Sequence, residues 1–383
     1  MKYLRNIVAF TLFFSVLGLV FLPINVYALI DVSNENTSVN AKAAMVMEAS
    51  TGEVLFAQNE SQKLPMASTT KIMTALLTLE SESLDEEFIV DSFAIKTEGS
   101  SMGLCEGDVV TLSALAGGML SASGNDAANA AAVKIAGSNE NFAVLMNERA
   151  KKIGMQNTSF TNPSGLPDDK HYSTAYDMAL LGAEAIKNQK FLELCSKPYV
   201  QLYFGNPPYK RSLKNHNRLL GICEGCIGIK TGFTEKAGRC LVSATERDGI
   251  TLICVTLNCP DDWNTHTYLY NKYFPYVEKE SITQISDIDV NVVGGESASV
   301  SIGSDETAEY ISIKNTESQN KIITKIYSDN FYYAPIKKGD IMGRVEYYMN
   351  DVLILSTNLI ARDKVEEKIS EKKNLLERLL DLL

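Results

Sequence analysis

Ser68-Thr69-Thr70-Lys71, Ser123-Gly124-Asn125 and Lys230-Thr231-Gly232 follow one another in that order, and each falls on a different kind of local structure. A fold of this chain that gives the three motifs a common purpose has to bring together a helix start, a break between helices and a strand. The first motif precedes the apolar run Ile72 to Leu79, so Ser68 stands at a helix start. The second breaks two helical stretches, Leu112 to Leu120 and the alanine-rich Asn125 to Ala136. The third lies in Ile227 to Phe233, whose β-branched alternation reads as a strand. Arg239 to Thr245 and Ile250 to Leu257 follow with a turn at Arg247-Asp248-Gly249, which predicts an antiparallel meander. SxxK recurs at Ser318 to Lys321 and Ser370 to Lys373, and SxN at Ser318 to Asn320 and Ser328 to Asn330, but KTG occurs once. Order and placement therefore carry the weight.

A serine and a lysine three apart on a helix share one face, and one turn rises only about 5.4 Å, so the Lys71 amine reaches the Ser68 hydroxyl. That is the pairing of a nucleophile with its base. A lysine becomes a useful base when burial or a second positive charge lowers its pKa, and Lys230 is the candidate for that charge. Ser123 would relay a proton between Lys71 and a leaving amine, and the Asn125 amide would hold a peptide carbonyl of the substrate. On the strand, Lys230 and Thr231 would meet a carboxylate, Gly232 would admit the substrate backbone, and the backbone N–H of Phe233 would face a developing oxyanion. Singly, these residues also have plain structural readings: an N-cap for Ser68, turn chemistry for Ser-Gly-Asn, an edge strand with an incidental lysine. The complete trio favours the catalytic reading.

Other chemistries lack their signatures. None of His171, His216 and His266 lies near a Gly-x-Ser-x-Gly turn, and His171 is expected in a surface loop. Cys223-Glu224-Gly225-Cys226 has no second CxxC or histidine pair at metal spacing, so no metal or cofactor is expected. There is no glycine-rich phosphate loop, and a formal charge of −11 argues against a nucleic-acid partner. Of the seven cysteines, Cys240 and Cys254 read as core residues, whereas Cys223 and Cys226 could close a disulfide under oxidising conditions.

The three motifs, with Asn162-Pro163-Ser164-Gly165-Leu166, Ser173 to Ala179 and Lys230 to Gly238, resemble the serine-type D-alanyl-D-alanine carboxypeptidases, the low-molecular-mass penicillin-binding proteins. The resemblance runs from about Ala43 to about Ala361. It implies an α+β fold: a β-lactamase/transpeptidase-like domain of antiparallel sheet and helices, followed by a small all-β sandwich domain and a C-terminal amphipathic helix. It implies Ser68 as acylated nucleophile, Lys71 as base, Ser123 as proton relay, Asn125 and Lys230 as substrate contacts, and an oxyanion hole from the N–H groups of Ser68 and Phe233. The implied substrate is the peptidoglycan stem peptide ending in D-Ala-D-Ala, with β-lactam antibiotics as covalent inhibitors. One departure stands out: the segment Cys259 to His266, where the family often carries a carboxylate-binding arginine, holds two acids and no arginine. A D,D-endopeptidase uses the same apparatus. A β-lactamase-like hydrolase lacks a convincing ExxLN segment here, and a catalytically idle wall-binding protein would be expected to have lost a motif.

Lys2 and Arg5, the apolar Ile7 to Leu22 and the small-residue end Val26-Tyr27-Ala28 read as a signal peptide over 1–28, which places the protein outside the cytoplasm. The enzymatic domain is expected over 29–276 and a β domain over 277–362, where short alternating strands replace helical periodicity. Over 363–383, Val365, Ile369, Leu376, Leu380 and Leu383 form one helical stripe among charged residues, so this segment is expected to lie as a helix on the outer face of the cytoplasmic membrane.

Overall fold

The computed structural model describes residues 33, 35–282, 284–307, 309–314, 322–349 and 352–369. The signal peptide assigned to 1–28 and the leucine stripe from Leu375 onward lie outside the described residues.

In chain order, β1 (Ala43–Glu48) and β2 (Val54–Gln58) form a hairpin, and a 3-10 turn at Ala67–Thr70 leads into α1 (Lys71–Leu79). The two-residue strands β3 (Phe88–Ile89) and β4 (Val109–Val110) precede α2 (Leu112–Ser121), α3 (Asn125–Ala136) and α4 (Asn139–Ile153). After α5 (Ala175–Ala185) and α6 (Gln189–Cys195) comes the hairpin β5 (Tyr199–Gly205) and β6 (Pro208–Lys214). A single helical turn, α7 (Leu219–Ile222), leads to the meander β7 (Cys226–Thr234), β8 (Gly238–Arg247) and β9 (Ile250–Leu257), closed by α8 (Asp262–Tyr273).

The main sheet has the order β2-β1-β9-β8-β7, every pairing antiparallel. Antiparallel sheets often leave one face in water; here both faces are covered, which is why β9 reads as an almost continuous apolar run. Its alternation divides it between two cores: Ile253, Val255 and Leu257 pack with the helices α1 to α6, and Leu252 and Cys254 pack with α8. Each such side chain contributes about 1.5–3 kcal/mol on full burial. Cys240 and Cys254 are fully buried, as expected of core strand residues, while Cys223 and Cys226 remain unbridged thiols. A second, four-stranded sheet, β3-β4-β5-β6, flanks the helices.

After a 3-10 turn at Phe274–Tyr276, the regular structure among the described residues is all strand: β10 (Val277–Ser281), β11 (Ile288–Val293), β12 (Ser299–Gly303), β13 (Glu309–Ile313), β14 (Ile322–Ser328), β15 (Phe331–Tyr333), β16 (Ile341–Met349) and β17 (Val352–Ala361). Strands β14-β16-β17-β12-β11-β15 make one sheet and β10-β13 a ribbon. The structure corrects the expected start of the C-terminal helix. Val365, placed on the helical stripe, is instead 4% exposed in the β-domain core and bridges Ile336 in extended conformation, and Glu367 bridges Gly295. Burial of Val365 and those bridges outweigh the helical pattern up to Ile369.

Candidate active site

The tight turn Ala67–Thr70 sets Ser68 ahead of Lys71, so Ser68 lies in a 3-10 turn rather than capping α1. Threonine hydroxyls hold the turn: Thr69 Oγ1 donates to the Met66 carbonyl at 2.6 Å and Thr70 Oγ1 to that of Ala67 at 2.8 Å. Lys71 is fully buried, with its Nζ 3.0 Å from Ser68 Oγ, 2.6 Å from Asn125 Oδ1 and 2.6 Å from the Ser164 carbonyl oxygen. Burial first, and the Lys230 charge second, hold its pKa well below the ordinary lysine value, while Asp126 pulls the other way. In the neutral amine the two fixed acceptors take both N–H groups, which leaves the lone pair aimed at Ser68. The spacing thus fulfils its geometric promise, and the carbonyl of Ser164 adds a contact that side-chain motifs could not reveal.

Ser164 is delivered by its own loop. Asn162 Oδ1 accepts from the N–H groups of Ser164, Gly165 and Leu166. Gly165 has φ +84°, and a Cβ there would come within 2.0 Å of the Ala67 carbonyl oxygen, so only glycine lets this loop press on the Ser68 turn. His171 braces the same turn. Contrary to the surface loop expected, it is 3% exposed; its Nδ1 accepts from the Thr161 N–H at 3.0 Å, which places the ring proton on Nε2, 2.7 Å from Thr70 Oγ1. Burial holds its pKa down, to about 4.

The second motif turns between α2 and α3. Ser123 takes φ +59°, a conformation costly for a side chain other than glycine and tolerated where the surroundings enforce it. Asp126, at the start of α3, accepts from the N–H groups of Met102, Gly103 and Leu104 and from the Ser101 hydroxyl, which builds the loop 101–104 beside Asn125. Asn125 Oδ1 faces Lys71, and Nδ2 donates to the Glu98 carbonyl at 2.6 Å.

Lys230 comes from β7, is 1% exposed, and donates to Ser123 Oγ at 3.1 Å and to the Thr231 carbonyl at 2.9 Å. Burial lowers its pKa to about 7. Ser123 is therefore held by the second lysine, one step removed from the contact with Lys71 that a direct relay would call for. A Cβ on Gly232 would lie 3.0 Å from the Met66 carbonyl oxygen and 3.1 Å from the Ser68 nitrogen, so the strand runs against the Ser68 turn at glycine distance. Thr231 and Phe233 alternate to the other face, and the Phe233 ring is exposed.

Motif reading missed Arg239. It stands on β8 opposite Phe233, with its guanidinium on the Asp262 carboxylate at 2.6 Å and over the Trp263 ring. The segment after β9 thus supplies an acid, Asp262, that holds an arginine from β8. Only the β7–β8 register brings that cation near the KTG motif, so the spacing along the chain gave no sign of it.

Ser68, Lys71, Ser123, Asn125, Lys230 and Gly232 converge, and Thr231 and Phe233 border them on the same strand. A serine one turn from a buried lysine, a second lysine on a facing strand and a helix-break serine between them form the arrangement that a serine acyl-transfer site requires. Residues 30–261 match the family model described as D-alanyl-D-alanine carboxypeptidase, and 276–367 match that of the penicillin-binding protein 5 C-terminal domain. The chain is 32% identical over 341 residues to D-alanyl-D-alanine carboxypeptidase DacF of Bacillus subtilis (strain 168), covering 85% of this chain and 86% of that one. It is 32% identical over 354 residues to DacC of Escherichia coli (strain K12), covering 87% and 86%. Penicillin binding protein 5 from Haemophilus influenzae has a similar solved structure, with TM-score 0.61 at 27% identity over 87% of this chain and 99% of that one. The chain belongs to the D-alanyl-D-alanine carboxypeptidase family. Its fold is the penicillin-binding, transpeptidase-like one followed by a β domain.

Proposed function

We propose that this serine carboxypeptidase removes the terminal D-alanine of peptidoglycan stem peptides with Ser68 as nucleophile. The observation that carries the reading is the Lys71 amine, fully buried, facing Ser68 Oγ with its other two valences satisfied by Asn125 and Ser164. Ser68 Oγ attacks the carbonyl of the penultimate D-alanine and its proton passes to Lys71. The carbonyl oxygen, now anionic, is received by the N–H groups of Ser68 and Phe233; an N–H in a first helical turn has no acceptor of its own. Ser123 gives its proton to the departing D-alanine nitrogen and recovers one from the Lys230 ammonium it touches, to which the proton held by Lys71 then passes, so the C–N bond breaks, an acyl ester remains on Ser68 and Lys71 is free to act as base again. Water, deprotonated by Lys71, then cleaves the ester and frees the enzyme. A penicillin enters the first half of this cycle through its strained amide.

Asn125 contributes its second N–H to a substrate carbonyl, and Lys230 and Thr231 border the terminal carboxylate. Arg239 completes that carboxylate site: it shares a sheet face with Thr231 and is held in place by Asp262 and Trp263. The enzyme works outside the cytoplasm after loss of 1–28, held at the outer face of the cytoplasmic membrane by the segment after Ile369, whose leucines and charges have the spacing an interfacial helix requires. Among the described residues no helix is long and apolar enough to cross a membrane.

Mass spectrometry tests the core of this reading. Incubation with a D-alanyl-D-alanine peptide releases D-alanine, and penicillin leaves one adduct on the peptide containing Ser68; an adduct elsewhere overturns the assignment. A peptide carboxamide tests Arg239: the enzyme should prefer the free acid, and Arg239→Gln in an Asp262→Asn background should erase the preference.

A further inference from the structure

Between Glu193 and Glu224 the chain has no acidic residue and five cations, Lys197, Lys210, Arg211, Lys214 and Arg218, in a protein of net charge −11. Lys197 is paired with Glu193. Among the described residues the ion pairs leave the other four without a carboxylate. Most of this stretch is the β5–β6 hairpin. Its register sets Tyr199 opposite Lys214, Gln201 opposite Ser212 and Tyr203 opposite Lys210. Alternation puts these six on one face, and all six are exposed, Tyr199 at 57% and Tyr203 at 63%. The opposite face, Val200, Leu202 and Phe204, is buried in the core, so packing accounts for that side only.

The hairpin adjoins the cleft at two points. Arg211 Nη1 donates to the Gly103 carbonyl at 3.2 Å, on the loop that Asp126 builds beside Asn125. Just past β6, the His216 N–H donates to the Ser121 carbonyl at 3.2 Å, two residues before Ser123. A polymer whose peptide end occupies the cleft has this face as a neighbouring surface.

We propose that the outer face of the β5–β6 hairpin docks the substrate polymer, a glycan strand bearing acidic stem peptides; the proposal rests on the carboxypeptidase reading of the cleft. Tyr199 and Tyr203, about 13 Å apart along the strand at 3.3 Å per residue, present flat rings to the apolar faces of sugars. Lys210 and Lys214 meet the carboxylates of neighbouring stems, a pairing that also steers an anionic polymer towards the cleft of an otherwise acidic protein. Gln201 and Ser212 between the rings leave no aliphatic surface to sink into a bilayer, which favours a polysaccharide over a lipid partner.

The test compares the enzyme with Lys210→Glu/Lys214→Glu and Tyr199→Ser/Tyr203→Ser variants, with penicillin acylation of Ser68 confirming an intact cleft in each. Co-sedimentation with insoluble pentapeptide-rich peptidoglycan should weaken about tenfold in either variant, and added salt should weaken the parent's binding. D-alanine release from the polymer should fall in step while release from a short soluble peptide stays within about twofold. Unchanged co-sedimentation, or equal losses on polymer and short peptide, overturns the proposal. So does parent binding to vesicles of anionic phospholipid as tight as to peptidoglycan. A parent that releases no D-alanine from the short peptide refutes the carboxypeptidase reading instead, and co-sedimentation still decides the role of the hairpin.

Discussion

The Lys71 amine lies 2.6 Å from the carbonyl oxygen of Ser164, a contact between residues 93 positions apart. With Asn125 on a second N–H, it fixes the direction of the remaining valence, and that direction is Ser68 Oγ. Removing the amine leaves Ser68 in its turn without a base. Lys71→Ala should lower the rate of penicillin acylation by about 10²–10⁴-fold, the usual contribution of a positioned base. Stopped-flow acylation with mass-spectrometric counting of adducts measures it; acylation at the parent rate would show that another group takes the proton.

The second lysine titrates near neutrality. Burial lowers Lys230 to about 7, so its charge is present below that pH and lost above it. Loss of the charge weakens the hold on a substrate carboxylate and removes the repulsion that helps lower the pKa of Lys71. The kcat/KM for a peptide acid should therefore decline as pH climbs through about 7. A guanidinium stays charged throughout, so in Lys230→Arg the decline should vanish whatever the absolute rate. A decline with the same midpoint in that variant would assign it to a different group.

Gly232 sets the gap between the KTG strand and the nucleophile turn. A Cβ there meets only backbone, at 3.0 Å from the Met66 oxygen and the Thr69 nitrogen, and neither can swing aside as a side-chain end could. Gly232→Ala should thus push the Ser68 turn from the strand, with a stability loss of about 1–3 kcal/mol and a larger proportional loss of acylation. Thermal unfolding and acylation rates of the same preparation measure both. Parent-like acylation would mean that the oxyanion site does not depend on this spacing.

Sequence disclosed what is local and withheld what depends on contacts made at long range. The helix start at Lys71, the break at Ser123 and the strand at Lys230 follow from nearest-neighbour pattern, and the β7–β9 meander from alternation and one turn. The Ser164 carbonyl has no side-chain signature, and its role depends on Asn162 and Gly165 folding it over α1. Arg239 is near the KTG strand only by register. Val365 keeps a helical spacing with residues that follow it, yet a free place in the β-domain core claims it.

His171 shows the same limit and yields a further prediction. Its polar ring in a loop of Pro, Asp and Lys suggests the surface, but it is buried, accepting from Thr161 and donating to Thr70, whose hydroxyl in turn holds the carbonyl before Ser68. His266 is fully buried too, between Ser243 and Thr256. Burial holds the two at about 4 and about 3, below the 6.5 of a free histidine. Between those values and 6.5 the unfolded chain binds more protons than the folded one, so stability is complete above 6.5 and drains away as pH falls through that window. His171→Ala should cost about 1–3 kcal/mol at pH 7 by removing the acceptor of the half-buried Thr161 N–H and the donor to the buried Thr70 hydroxyl, and it should also flatten the acid slope by one histidine's share. Urea unfolding at pH 7, 5.5 and 4.5 separates the two effects. A variant with the parent's full slope would show that His171 takes up its proton as readily in the fold as in the unfolded chain, and the proton assignment that ties it to Thr70 would then be wrong.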